Sequence, residues 1–220
     1  MKKYDYIAFD LDGTLTDPAE GLTQGFVYAF RKMGIEYESK EALKKYIGPP
    51  LLETWQNELG LSFDEAEKMV LIFREYYNIY GWWDNKIYTG IEKLLSSLKE
   101  SGKKLILATS KPEDTAKSVL KLFGIDKYFD FIGGADGHKD RDKKWEVLDY
   151  SLRNIGIEKD SPLKEKCIMI GDRMYDAEGA RIYGIDSLGV LWGHGSIEEL
   201  SSAGFSYLAR TPDEVYNLLK

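Results

Sequence analysis

Two carboxylates one residue apart, Asp10 and Asp12, close an apolar run inside YIAFDLDGTLTD near the start of the chain. A second run, KKLILATS, ends on Thr109, Ser110 and Lys111, and a third, KCIMIGDRMYD, on Asp172 with Asp176 one helical turn later. Carboxylates that converge repel one another unless a cation neutralises them. With oxygen ligands only, the ion selected is hard, and Mg2+ takes a few carboxylates together with water and substrate phosphate. That combination points to phosphoryl transfer. Asp10 would attack phosphorus to give an aspartyl-phosphate, and Asp12 would protonate the leaving oxygen and then deprotonate the hydrolytic water. Thr109 and the backbone around Ser110 would hydrogen-bond the transferring group, and a lysine from DRDKKWEVL would offset its charge.

Such residues work only if one scaffold brings them together. The apolar runs YIAFD, KKLILATS, FDFIGGA, KCIMIGD, IDSLGVLWG and SYLAR alternate with helical patterns. Strands alternating with helices imply an α/β fold with a mostly parallel sheet, whose buried strands read as continuous apolar runs. In such a sheet, ligands bind outside the carboxyl ends of the strands, where these polar residues fall. TGIEKLLSSLKESG presents Ile91, Leu94, Leu95 and Leu98 on one face and stops at Gly102; KPEDTAKSVLKLFG starts at Pro112 and stops at Gly124.

Between about Pro18 and Asp84 the pattern is helical without a convincing strand. FDEAEKMVLIFREYYNIY places Phe63, Ala66, Met69, Val70, Phe73, Tyr77 and Tyr80 at helical spacing. We read residues 17–86 as a helical domain inserted after the first strand, and residues 1–16 and 87–220 as the α/β core. The insert is expected over the C-terminal end of strand one.

At 220 residues, with 43% hydrophobic and 30% charged residues, the chain has the composition of a soluble globular protein. The net charge of −7 argues against a nucleic-acid polymer as partner. The one cysteine, Cys167, lies in an apolar run, so core packing and a reducing compartment are expected. No signal-peptide pattern or membrane-length apolar run is seen, which makes the cytoplasm the default address.

DLDGTLTD, the strand ending in Thr109, a lysine before EVL, and GDRMYD resemble, in order and across the whole chain, the four motifs of the haloacid dehalogenase superfamily. The resemblance implies a Rossmann-like core with a helical cap. It implies Asp10 as nucleophile, Asp12 as acid/base, Thr109 as phosphate-binding hydroxyl and Asp172 as metal-binding acid, with Mg2+ as cofactor. Asp176 matches the second acid of the fourth motif, which acts through water or the lysine. Lys144 is preferred to Lys143 for the third motif because KWEVLDYSL is similar to the family's lysine followed by an apolar helix face. YIGPPL, with Gly48, resembles the substrate-facing cap loop. The ending VLWGHGSIEELSSAGFSYLARTPDEV is similar to the phosphoglycolate phosphatase and 5'-nucleotidase branch. The expected activity is hydrolysis of small-molecule phosphomonoesters by a monomer or weak dimer without membrane attachment. A sugar phosphomutase and a non-catalytic ligand-binding protein are the alternatives.

Other residues receive plainer readings. Lys111 is taken as a solvated surface charge and left outside the catalytic set, and the mixed-charge run HKDRDKK around Lys143 and Lys144 has the pattern of a solvated face. His138 and His194 lack metal-ligand spacing. Trp82 and Trp83 could stack a base, but aromatic residues at an insert boundary more often anchor packing.

Overall fold

The structure, a computed structural model, describes residues 3–48, 51–136 and 141–220. His138, and the two prolines of YIGPPL, lie outside the described residues. The chain divides into two compact units, residues 1–16 with 87–220, and residues 17–86.

The first unit is built on a six-stranded sheet. Its strands are β1 (Tyr6–Phe9), β4 (Lys104–Pro112), β5 (Phe131–Ala135), β6 (Cys167–Gly171), β7 (Asp186–Val190) and β8 (Tyr207–Ala209), in the order β5-β4-β1-β6-β7-β8. Every neighbouring pair is parallel. Successive strands are therefore linked by helices: α4 (Ile91–Glu100), α5 (Glu113–Leu122), α6 (Lys144–Arg153), α7 (Met174–Tyr183) and α8 (Ile197–Ala203), with α9 (Pro212–Leu219) after β8. The burial of Ile91, Leu94, Leu95 and Leu98 on α4 follows from their spacing.

Cys167 and Met169 of β6, Ala8 of β1, and Ile106 and Ala108 of β4 point to one face of the sheet. They pack there with Val147, Leu148 and Leu152 of α6 and Ala180 and Tyr183 of α7. Covering the sheet in this way removes β1, β4 and β6 from water and explains their continuous apolar sequences. Strand order runs outward from β1 in both directions, β4 and β5 on one side and β6 to β8 on the other. The carboxyl end of β1 is thus the switch point at which open parallel sheets form their ligand crevice.

The second unit is helical: α1 (Ala19–Met33), a 3-10 stretch at Glu41–Tyr46, α2 (Leu51–Leu59) and α3 (Phe63–Tyr76). The chain crosses between units at β2 (Thr16–Asp17) and β3 (Lys86–Ile87), which pair as a short ladder. The core of the unit is aromatic: Phe26, Phe30, Tyr46, Trp55, Phe73 and Tyr77 are buried together, with Phe26 and Phe73 ring centroids 5.3 Å apart. Ser62 and Glu65 close a reciprocal capping box at the start of α3.

The expected helix from Phe63 to Tyr80 differs from the structure in two ways. Phe63 is exposed, because it occupies the first turn beyond the packed face. The α-helix also stops at Tyr76 and continues as a π-turn, Tyr77–Gly81, so Tyr77 stays buried while Tyr80 is rotated outward. The wide turn accompanies a close backbone approach. A Cβ on Gly21 of α1 would lie 2.0 Å from the Gly81 carbonyl oxygen, and Gly21 N–H donates to the Asp84 carbonyl at 3.1 Å. Trp82 is partly buried against the unit's core, whereas Trp83 is exposed. No helix among the described residues is long and apolar enough to cross a membrane.

Candidate active site

The backbone after β1 first has to turn. Asp10 N–H donates to the Ile170 carbonyl at 2.9 Å, continuing the ladder with β6, and the Leu11 carbonyl then accepts from the N–H groups of Thr14, Leu15 and Thr16. Gly13 sits in the turn at φ 83°, in the left-handed region. A side chain there is also excluded by space, since its Cβ would fall 2.1 Å from Asp172 Oδ2. The glycine between the two threonines and Asp12 thus admits the carboxylate that ends β6.

Asp172 is fully buried. Its Oδ2 accepts from the backbone N–H of His194 at 2.7 Å and its Oδ1 from Thr14 Oγ1 at 3.3 Å. The loop after β7 wraps it closely: Cβ atoms on Gly193 and Gly195 would lie 2.3 Å from Asp172 Cβ and 2.0 Å from its carbonyl oxygen. His194 contributes its backbone here. Asp176, in the first turn of α7, accepts from Arg173 N–H at 3.1 Å, and a Cβ on Gly171 would strike its carboxyl carbon at 2.0 Å. Arg173 is held in turn by Glu199 of α8 at 2.9 Å, a carboxylate that also caps Met174 N–H.

Lys144, at the start of α6, is buried and reaches three oxygens. Its Nζ lies 2.7 Å from Asp10 Oδ1 and 2.9 Å from Asp176 Oδ1, and donates to the Ala108 carbonyl at 3.3 Å. Its neighbour Lys143 is exposed. Thr109 is buried at the end of β4, and Ser110 beside it is exposed. Gly48 is exposed, at φ 108°, and belongs to the helical unit. The structure therefore brings Asp10, Asp12, Thr109, Lys144, Asp172 and Asp176 to one end of one sheet, with Ser110 at its rim.

Lys111 overturns its expected role as a solvated surface charge. Its side chain is 4% exposed, and its Nζ lies 2.7 Å from Asp12 Oδ2. Pro112 biases Lys111 toward extended backbone but does not decide which way its side chain points. Thr14, Gly193, Gly195 and Glu199 were also missed as parts of the site. Their contributions depend on loops that fold back from distant sequence.

The electrostatics of this end of the sheet are unbalanced. One carboxyl oxygen each from Asp10, Asp172 and Asp176 lie within 4.8 Å of one another, and all three residues are buried. Burial, reinforced by the charges of Asp176 and Asp10, raises Asp172 well above the ordinary carboxyl range despite the His194 N–H. Burial likewise pushes Asp176 up to about 6, with Asp10 adding to the effect and Lys144 opposing it. Burial works against the charge on Lys144, but Asp10 and Asp176 outweigh it and raise its pKa. One ammonium among three buried carboxylates leaves an excess of negative charge. An all-oxygen donor set with that excess fits a hard divalent cation.

Comparison with known proteins agrees with this geometry. Residues 7–190 match the family described as haloacid dehalogenase-like hydrolase. A 5'-nucleotidase of Pseudomonas aeruginosa is 37% identical over 198 residues, which are 90% of this chain and 87% of that protein. The tyrosine-protein kinase PtkA of Mycobacterium tuberculosis is 36% identical over 215 residues, 97% of this chain and 72% of that one. The crystal structure of a predicted phosphatase from Clostridium acetobutylicum superposes with a TM-score of 0.91 at 39% identity, over 98% of each chain. The chain belongs to the haloacid dehalogenase-like hydrolase family.

Proposed function

We propose that this hydrolase is a Mg2+-dependent phosphatase of small-molecule phosphomonoesters, acting through an aspartyl-phosphate on Asp10. The observation that carries the reading is the buried Asp10 carboxylate at the end of the central strand, paired with Lys144 and set among Asp172 and Asp176. Thr109 and Lys144 hold the phosphoryl oxygens, with Ser110 supplying backbone donors. An Asp10 oxygen bonds to phosphorus as the ester P–O bond breaks, and Asp12 gives its proton to the departing alkoxide oxygen. Water then attacks the same phosphorus, passing a proton to Asp12, and the acyl-phosphate P–O bond breaks to return Asp10 as carboxylate with release of inorganic phosphate.

The Asp10 and Asp172 carboxylates and the Asp12 carbonyl would hold Mg2+, with Asp176 acting through water or through Lys144, 2.9 Å away. Bound there, the ion supplies positive charge that lets an anionic nucleophile meet an anionic ester. Residues 17–86 serve as the substrate-selecting cap, with Gly48 in the selecting loop. A 5'-nucleotide or phosphoglycolate is the leading substrate. The first rests on the named Pseudomonas relative and both on the resemblance of the C-terminal segment. The lone, buried Cys167 suits a reducing cytoplasm.

The test is hydrolysis of p-nitrophenyl phosphate, then a panel of nucleoside monophosphates, phosphoglycolate and sugar phosphates ranked by kcat/KM. EDTA should abolish turnover and excess Mg2+ restore it. Full turnover in EDTA would reject the metal, and turnover by Asp10→Asn would reject the nucleophile.

A further inference from the structure

The two lysines of this site are placed differently, and only one faces the nucleophile. Lys144 lies against Asp10 and Asp176, whereas Lys111 lies against Asp12. The placement of Lys111 is built into the sheet. Strand β4 pairs with β5 as Thr109↔Gly134 and then Pro112↔Ala135, so the register skips Ser110 and Lys111. Such a bulge re-aims side chains. Here Ser110 turns outward and Lys111 inward, with Lys111 N–H donating to Thr109 Oγ1 at 3.3 Å. Gly134 makes room opposite, because a Cβ there would lie 2.6 Å from the Lys111 carbonyl oxygen.

The two oxygens of Asp12 are left in different states. Oδ2 is engaged by Lys111 at 2.7 Å, while Oδ1 is buried with no hydrogen-bond partner. The Asp12 side chain as a whole keeps 24% exposure, which lies on its atoms other than Oδ1. A carboxylate held at one oxygen by a buried ammonium has a fixed orientation.

Resting on the phosphatase reading above, we propose that Lys111 is a positioning residue for the acid/base Asp12: it anchors Oδ2 and so fixes the direction in which the carboxyl group meets the leaving oxygen and then the hydrolytic water. Lys144 serves phosphoryl transfer to Asp10; Lys111 serves proton transfer by Asp12. A residue that acts only through Asp12 loses its importance once Asp12 cannot transfer protons, which a double-mutant cycle detects.

The experiment measures wild type, Lys111→Met, Asp12→Asn and the double variant with p-nitrophenyl phosphate and with an alkyl phosphate. Lys111→Met is expected to lower kcat about 100-fold, the low end for general acid-base catalysis, with KM within about threefold. The alkyl ester should suffer more than the nitrophenyl ester, whose leaving group needs little protonation. Asp12→Asn and the double variant should have equal kcat, and Lys111→Arg should recover at least about tenfold of the loss.

Losses that multiply in the double variant would overturn the proposal. So would a raised KM at unchanged kcat, which would make Lys111 a binder of substrate phosphate, or a Lys111→Arg variant no better than Lys111→Met. A wild type inactive on every ester brings down the phosphatase reading and this inference with it. An active wild type with an unimpaired Lys111→Met brings down the inference alone.

Discussion

The helical unit and the strand-end cluster are both buried, but they are buried at opposite cost. In residues 17–86 the interior is aromatic and aliphatic, Phe26 and Phe73 packing with Trp55, and burial itself is the stabilising term. At the end of β1 the interior holds Asp10, Asp172 and Asp176 against one nearby ammonium, and burial drives two of the carboxyl pKa values upward. One region is complete without a ligand. The other concentrates buried carboxylates, an all-oxygen donor set that a hard divalent cation would fit. Removing side chains should therefore separate stability from activity in opposite senses.

The largest effect belongs to the cluster. Asp10→Asn should reduce turnover by at least about 10^4-fold, as loss of a nucleophile does. Its thermal midpoint should equal or exceed that of the wild type, because a buried charge is removed; a clear fall in Tm would break the comparison. Trp55→Ala should do the converse. It truncates a fully buried side chain, so it should cost about 3–5 kcal/mol of stability, read by denaturant unfolding of the helical unit. A cost below about 1 kcal/mol would show that the aromatic core is not the stabilising element there.

The pH dependence sharpens the same contrast. Asp172 and Asp176 have folded-state pKa values raised above those of an unfolded chain, so the folded state binds more protons. Stability contributed by them is present at low pH and is lost as pH rises through about 6, the value for Asp176. Metal-free protein should thus gain Tm as pH falls from about 7.5 to 5.5, a range where ordinary carboxylates remain charged. Saturating Mg2+ should raise Tm at the upper end and flatten this slope; a metal-free Tm that falls over that range would contradict the excess of charge. The smallest effect lies in the helical unit, where Ser62→Ala removes the capping box of α3 and should cost about 1 kcal/mol without altering kcat.

Legibility followed the same division. The strands could be read because a sheet covered on both faces demands continuous apolar runs, and YIAFD, LILAT and CIMIG have them. Their polar endings then marked the site, since Asp10, Thr109 and Asp172 interrupt patterns that burial would otherwise continue. What could not be read depends on contacts between distant segments. The π-turn at Tyr77–Gly81 accompanies the approach of Gly21, some sixty residues earlier, which no local periodicity announces. The inward turn of Lys111 depends on a bulge accommodated by Gly134 in the neighbouring strand. The clasp around Asp172 likewise comes from Gly193 and Gly195, beyond the next strand. Chemistry at a strand end was visible, while the parts that orient it were supplied by tertiary structure.

The central claim is that Asp10 carries the phosphoryl group. Its most direct test is acid quenching of the enzyme during turnover of a labelled phosphate ester, followed by peptide mapping. The account predicts an acid-stable, hydroxylamine-labile phosphoryl group on the peptide containing Asp10, absent from Asp10→Asn. Steady hydrolysis with no phosphoenzyme at any quench time, retained by Asp10→Asn, would contradict it.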